Sequence, residues 1–512
     1  MFIGDILIGL GVATPEDIAA GLEMQHAEGG SLADRLVGSG RIEESEAMAA
    51  IAAIPPSPRT VADTGLTPSL LLNLLIKTIY ATSVETPSQM CELMKLPPRA
   101  VLELLEDAAQ HQLLNVLGAV RADANAERRY ALTVAGMEWA HAAMRQCEYV
   151  GPAPVPLAAY REQIGRQRIT NEMIDQDDID RRFGDLIVND DLVSKVGPAI
   201  NSGRSILFYG PPGNGKTSVA ERIGSLFKDV IYIPYAFEVD GQIVKVFDPG
   251  IHKSIRGLSG EIGRCPTLHR EDFDLRWEAC RRPMIFTGGE LTLEMLDLGY
   301  NEQSKFYEAP LHIKALGGVF LIDDFGRQLV KPEILLNRWI VPLESRIDYM
   351  KLHSGKSFDL PFDELVIFST NMSPDDLMDP AFLRRIPYKI EIAGPSVDEF
   401  HAIFKLTAEK AGVQAPDQVI DEVVAWIGEN VNGSLAAYQP KFIIDQMLAA
   451  SRFAKAPPQF QPQFLSMALS NLHARQSRPQ VDDIARIPRA RPNRSLNSSR
   501  TDRGQYAALS AA

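Results

Sequence analysis

The stretch SILFYGPPGNGKTSVAERIGSLF, Ser205 to Phe227, decides the fold. Ser205 to Tyr209 reads as a short β-run. It enters G-x-x-x-x-G-K-T, Gly210 to Thr217, and a helical segment follows. Strand, glycine loop and helix in that order is the context a phosphate-binding loop requires. Gly210, Gly213 and Gly215 let backbone N–H groups turn inward around phosphates, and the helix N-terminus adds a favourable dipole. Lys216 is placed to reach the β- and γ-phosphates and the Thr217 hydroxyl to ligate Mg²⁺. The nucleotide contacts predicted for the loop are Gly210, Pro211, Pro212, Gly213, Asn214, Gly215, Lys216, Thr217 and Ser218.

A phosphate loop needs a second metal anchor at the end of a neighbouring strand, and GGVFLIDDFGRQ supplies one. Val319 to Asp323 is an apolar strand ending in a carboxylate, as buried parallel strands read. Asp323 is expected to hold the metal and Asp324 to face the attacking water. Leu365 to Phe368 form a further apolar strand that ends in Ser369-Thr370-Asn371, where Asn371 can orient that water. In DPAFLRRIPYKIEI, Arg384 and Arg385 close a short helix just before another strand.

Phosphate loop, acidic strand end, polar strand end and DPAFLRR, in this order, resemble the AAA+ ATPases over Asp185 to Ala474. The resemblance implies an α/β P-loop NTPase core, a parallel sheet flanked by helices, at 169–394, with a C-terminal helical lid at 395–475. It implies ATP and Mg²⁺ as cofactors, and ATP hydrolysis with Asp324 and Asn371 as catalytic residues. Arg384 and Arg385 become arginine fingers acting on a neighbouring subunit, hence a homo-oligomer, expected to be a hexamer. Ile187 would hold the adenine. In YQPKFIIDQML, Lys441 stands where the family's lid usually has an Arg, keeping the charge without the bidentate fork. The alternation in RIDYMKLHSGKSFDLPF suggests a hairpin before the last apolar strand, similar to the MoxR and magnesium-chelatase branch.

Two departures qualify this. The second acid of the pair is generally Glu in the family. Asp324 retracts the carboxylate by about 1.5 Å, enough to cost on the order of a hundredfold in rate. In addition, 107 positions separate Lys216 from Asp323. The extra segment should contain a hairpin in YAFEVDGQIVKVFDPG, with a D-G turn. It also holds Tyr300, Phe306 and Tyr307, which either line an axial pore or pack within the insertion.

The first 54 residues repeat themselves. IGDILIGLGVATPEDIAAGLEMQ and LADRLVGSGRIEESEAMAAIAAI share a short helix, a Gly turn and a longer helix starting near Thr14 or Glu43. Residues 1–54 therefore form a small all-α domain, and they resemble the N-terminal domain of type II secretion and pilus ATPases. The cyclic di-GMP-binding versions carry an Arg before each repeat; Phe2 and Ser31 stand there instead. With nine Asp/Glu against Arg35 and Arg41, a protein-docking module is expected, and a link to pili or secretion is an analogy only. After a Pro-rich linker, residues 61–150 read as three helices, two strands and a helix, a winged-helix-like α+β domain. Its ten Asp/Glu to seven Lys/Arg favour protein contact over DNA. YVGPAPVPLAAY reads as an extended tether leading out of it, and residues 476–512 as a disordered tail.

The net charge of −14 argues against non-specific nucleic-acid coating. The four cysteines, without C-x-x-C spacing, read as reduced thiols. Cys265 and His269 have no second ligand pair beside them. Neither a basic n-region nor a long apolar run occurs, so a cytoplasmic protein without an integral membrane segment is expected. The leading function is an oligomeric ATPase that remodels a protein partner recruited by the N-terminal domains. The alternatives are a slow-hydrolysing ATP-gated switch or scaffold, and a DNA-directed protein using the winged helix.

Overall fold

A computed structural model of the chain describes residues 7–8, 12–28, 32–43, 54–119, 127–255, 273–377, 380–430 and 434–472. The second repeat's longer helix, the Cys265–His269 pair and the tail lie outside the described residues. No described helix is long and apolar enough to cross a membrane.

Five parallel strands form the central sheet: β1 (Ile206–Tyr209), β2 (Met284–Thr287), β3 (Val319–Ile322), β4 (Leu365–Thr370) and β5 (Tyr388–Glu391). Their spatial order is β5-β1-β4-β3-β2. Every strand of β3 and β4 is buried along its whole length, which explains their unbroken apolar runs. Because all five run the same way, their C-terminal ends share one edge of the sheet, the usual place for a ligand in open α/β folds. Phe320, Trp339, Phe362 and Phe368 interlock beneath it at ring distances of 5.5 to 6.4 Å. Helix α1 (Lys216–Gly224) follows β1. Four helices, α2 (Val397–Lys410), α3 (Asp417–Asn430), α4 (Gln439–Phe453) and α5 (Pro462–Leu472), enclose a separate core around Phe400, Phe404, Ile443 and Met447.

The segment between α1 and β3 builds a second sheet. Ala236–Val239 and Gln242–Lys245 form an antiparallel hairpin. Its corner is Asp240-Gly241 with φ of 52° and 76°, the two positive values a type I′ turn demands. The sheet is completed by Tyr307–Glu308, Gly299–Tyr300 and Val155–Pro156.

That last strand corrects the reading of YVGPAPVPLAAY as a tether leading outward. Val155 is fully buried and pairs parallel with Phe237. Ala153 N donates to the Met94 carbonyl at 2.7 Å and Tyr149 Oη to the Pro152 carbonyl at 2.8 Å. The prolines supply an extended backbone that needs no further ladder donors there, so the segment docks as an edge strand.

Residues 54–156 are accordingly joined to the inserted sheet. Helices Pro68–Thr82, Pro87–Met94, Pro98–Gln110 and Val134–Gln146, with the hairpin Leu114–Ala119 and Arg128–Leu132, share one core with Ala236 and Ile243. Buried Arg276 ties the junction. It pairs with Asp274 at 2.9 Å and donates to the carbonyls of Thr64 and Pro154, each at 3.1 Å. In the N-terminal repeat, helices Pro15–Glu28 and Leu32–Gly38 pack around Leu7, Ile18 and Leu36. Thr14 and Asp17 hydrogen-bond reciprocally at the first helix's start, as a capping pair does.

Candidate functional site

The loop Gly210–Gly215 leaves β1 through positive φ at Gly210 (138°), Gly213 (80°) and Gly215 (84°). Two of these positions admit no side chain. A Cβ on Gly210 would lie 2.4 Å from the Ile392 carbonyl, and one on Gly213 2.3 Å from the Tyr438 ring. The loop thus delivers the N-terminus of α1, with its partial positive charge, to the sheet's C-terminal edge.

Lys216 is folded back under the loop. Its Nζ donates to the carbonyls of Gly210 and Pro211, both at 2.9 Å, and to Asn371 Oδ1 at 2.7 Å. Burial pulls the Lys216 pKa below that of an ordinary lysine, while the nearby Asp323 and Asp324 act in the opposite direction. Thr217 Oγ1 donates to Asp323 Oδ2 at 2.7 Å, and Asn371 Nδ2 donates to Asp324 Oδ1 at 3.0 Å. Asp324 N also donates to Asp323 Oδ1 at 2.9 Å, so Lys216, Thr217, Asp323, Asp324 and Asn371 are one bonded cluster drawn from the start of α1 and the ends of β3 and β4.

The adjacent acids diverge because the chain turns sharply between them. Asp324 has φ of 47° and Gly326 of 102°. Phe325, buried against Phe368, anchors the turn. Its N–H donates to the Ser369 carbonyl, and its carbonyl accepts from Thr370 Oγ1, each at 2.7 Å. Left-handed backbone is uncommon outside glycine, though Asp tolerates it better than most residues.

These groups open on a cleft of about 670 Å³. One wall is Asp185 to Val188, including Ile187. Another is Pro212 to Val219, including Asn214, Gly215 and Ser218. The far wall comes from Ile403, Leu406, Thr407 and Lys410 of α2 and from Tyr438. The cleft combines polar and charged groups, Lys216, Thr217, Asp323, Asp324 and Asn371, with apolar ones, Ile187, Val188, Ile403 and Leu406.

Three predicted residues stand apart. Lys441 is exposed and is not among the residues lining the cleft; Tyr438, just before α4, meets it instead. Arg384 is exposed, and Arg385 Nε pairs with Glu344 at 3.1 Å. The Arg385 carbonyl accepts from Ser205 Oγ, which puts it at the start of β1. That is roughly 13 Å of strand away from the loop, and neither arginine lines its own chain's cleft. The inserted aromatics pack inward: Tyr307 is buried, Phe306 lies edge-on to Tyr149, and Tyr300 stacks on His353.

Two features escaped the sequence reading. Arg327 lines the cleft just past the Gly326 turn, its N–H donating to the Asp324 carbonyl at 2.9 Å. The four-helix module is also clasped to the loop. Tyr438 N donates to the Gly213 carbonyl at 2.9 Å and Ala437 N to Asn214 Oδ1 at 3.1 Å. The G-R in DDFGRQ was the available signal for the first; nothing local announces the second.

Residues 396–471, the four-helix module, match a family described as a domain of unknown function (DUF8689). Over 250 residues the chain is 26% identical to the 26S proteasome regulatory subunit S10B homolog B of Arabidopsis thaliana. The match covers 48% of this chain and 47% of that protein, so the chain spans about half the length of the curated relative it matches. Among solved structures, the RuvB Holliday junction branch migration motor of Thermotoga maritima aligns at 17% identity with a TM-score of 0.30. It covers 59% of this chain and 71% of that one. NtrX of Brucella abortus aligns at 15% identity with a TM-score of 0.34, covering 69% and 71%. The similarity to the proteasome subunit supports an AAA+ ATPase-like relationship for this chain.

Proposed function

We propose that the chain binds ATP with Mg²⁺ in this cleft and hydrolyses it within a homo-oligomeric ring, using the cycle to remodel a protein partner. The observation carrying the reading is the bonded cluster of Lys216, Thr217, Asp323, Asp324 and Asn371 at the mouth of a glycine loop. The Thr217 hydroxyl and Asp323 carboxylate are two oxygen donors already in contact, a set suited to Mg²⁺. They would hold the ion, whose contribution is to neutralise phosphate charge.

The chain's own groups would do the rest. Lys216, now bonded to three neutral oxygens, exchanges them for phosphate oxygens, whose negative charge complements the ammonium. Loop N–H groups cradle the phosphates, and Ile187, Ile403 and Tyr438 exclude water from the base. Asn371 orients Asp324, whose carboxylate accepts the proton of the attacking water. Arg384 and Arg385, remote from their own cleft, would act in trans, which is the reason for an oligomer, expected to be a hexamer. Residues 1–156 would recruit the protein partner.

A second reading, an ATP-gated switch that hydrolyses slowly, is favoured by Asp324 itself: a short carboxylate engaged by Asn371. Steady-state phosphate release by the wild-type chain, Lys216→Ala and Asp324→Glu separates the two. The ATPase reading expects turnover in the wild type and at least a hundredfold loss in Lys216→Ala. Negligible wild-type turnover that Asp324→Glu restores would establish the switch. No ATP binding by the wild type would remove both.

A further inference from the structure

A second cavity, of about 580 Å³, lies at the opposite end of α1 from the phosphate loop. Its walls are the C-terminal end of α1 with Ser225 to Lys228, the helix Gln176–Phe183, and the segment running from Arg281 into β2. Six basic side chains line it, Arg181, Arg182, Lys228, Lys253, Arg281 and Arg282, against two acids, Asp178 and Glu221. In a chain of net charge −14 this local excess of basic groups is unusual.

Some of these cations are accounted for. Arg282 is buried, pairs with Glu172 at 3.1 Å and Asp229 at 3.2 Å, and donates to three carbonyls. Arg181 and Lys228 share Asp178. Arg181 and Arg182 also sit in the last turn of their helix, where positive charge complements the dipole. Lys253 and Arg281 have no such reason to be there. They are exposed, and each stands in no ion pair with a described carboxylate. Arg281 N donates to the Lys253 carbonyl, one step along from the Ser254–Cys280 bridge, so the two cations face each other across paired backbones. Like charges placed directly opposite destabilise a β pair. An anion between them would remove that cost. Half-buried Ile251 and Met284 give the same cavity an apolar side.

We propose that this cavity is a binding site for a small phosphate-bearing ligand of the nucleoside diphosphate class, held by Lys253, Arg281 and Arg182. Arg182 Nε presently donates only to the Ser225 hydroxyl, at 2.7 Å, and its guanidinium is the third contact for a phosphate. The ligand's apolar body lies on Ile251 and Met284. The size of the cavity falls in the range of small-molecule sites. The two acids of its wall oppose a continuous polyanion such as duplex nucleic acid.

The test is calorimetric titration of the full chain with ADP, and separately with pyrophosphate. Titrations use the wild type, Lys216→Ala to silence the phosphate loop, Lys253→Gln/Arg281→Gln, whose two positions are exposed and whose folding is checked by circular dichroism, and the combination of all three substitutions. Two ADP sites per wild-type chain are expected, one surviving in Lys216→Ala. In Lys216→Ala/Lys253→Gln/Arg281→Gln the remaining site weakens at least tenfold. Salt should weaken the second site progressively. A single site lost in Lys216→Ala and intact in the rim variant overturns this inference and leaves the ATPase reading standing. A single site lost in the rim variant and intact in Lys216→Ala does the reverse. No binding of either probe overturns it, as does displacement of ADP from Lys216→Ala by an RNA or DNA oligonucleotide but not by pyrophosphate.

Discussion

The Tyr438 N–H donates to the Gly213 carbonyl at 2.9 Å, and the Tyr438 ring occupies the space a side chain at Gly213 would need. The helical module and the phosphate loop are therefore in backbone contact. Tyr438 immediately precedes α4, so the loop touches the start of that helix.

Asn214 supplies the second half of that clasp through Ala437 N. Asn214→Ala should cost about 1 kcal/mol of module docking. The expected readout is a several-fold weaker nucleotide affinity with an unchanged urea midpoint for the α/β core. Unchanged affinity would show that the clasp is independent of the ligand.

Arg384 and Arg385 are remote from their own cleft. Lys216→Ala chains and Arg384→Ala/Arg385→Ala chains should each be inactive alone. Mixed, they should regain a measurable fraction of ATPase activity, because some interfaces then combine an intact loop with intact arginines. A mixture as inactive as its components rules out action in trans.

Arg276 is buried with Asp274 and caps two carbonyls at the junction of residues 54–156 with the inserted sheet. Arg276→Met leaves Asp274 buried without its partner, at a cost of about 3–5 kcal/mol. Denaturant unfolding should show that loss. Asp274→Asn/Arg276→Met should recover part of it, since no bare charge then remains.

Glu364 lies fully buried, and neither carboxyl oxygen meets a hydrogen-bond donor. Burial raises its pKa well above the ordinary value of 4.5, more than the neighbouring Arg346 lowers it. Unfolded, the group loses its proton near its ordinary value; folded, it keeps the proton to higher pH. Unfolding there releases a proton, so this group's contribution falls as pH rises above about 4.5 and levels off past the folded value. Glu364→Gln should remove that decline and raise Tm relative to wild type at pH 8 more than at pH 4.5. An equal change at both values would mean that Glu364 is ionised in the fold.

Asp324→Asn should lower phosphate release by about 10²- to 10⁴-fold, the usual contribution of a general base, while leaving ATP affinity within a few-fold. A variant as fast as wild type would assign the base elsewhere, with Asp323 as the adjacent carboxylate in the cleft.

Much of the site could be read locally. Gly210 to Thr217 and the strand before them are contiguous. Asp323 and Asn371 each end an apolar run whose length and composition mark a buried strand. The Asp240-Gly241 corner is a two-residue signal. Lys441 could not be placed this way, because which residue of a helix start meets a cleft depends on the docking of the whole helix. Tyr438 holds that position. The extended segment 148–157 likewise carries every mark of a linker, and only pairing with Phe237 turns it into a strand.

The sequence by itself determined the glycine loop, the apolar strands that end in polar groups, and the excess of acid over base, since these depend on neighbours in the chain and on composition. The tertiary structure decided which strands adjoin, that Asp323 and Asp324 take different partners, and that Asn214 and Tyr438 clasp the helical module. It also brought Lys253, Arg281 and Arg182 to one cavity. Those relations join residues from tens to more than two hundred positions apart, and no local propensity encodes a distance through space.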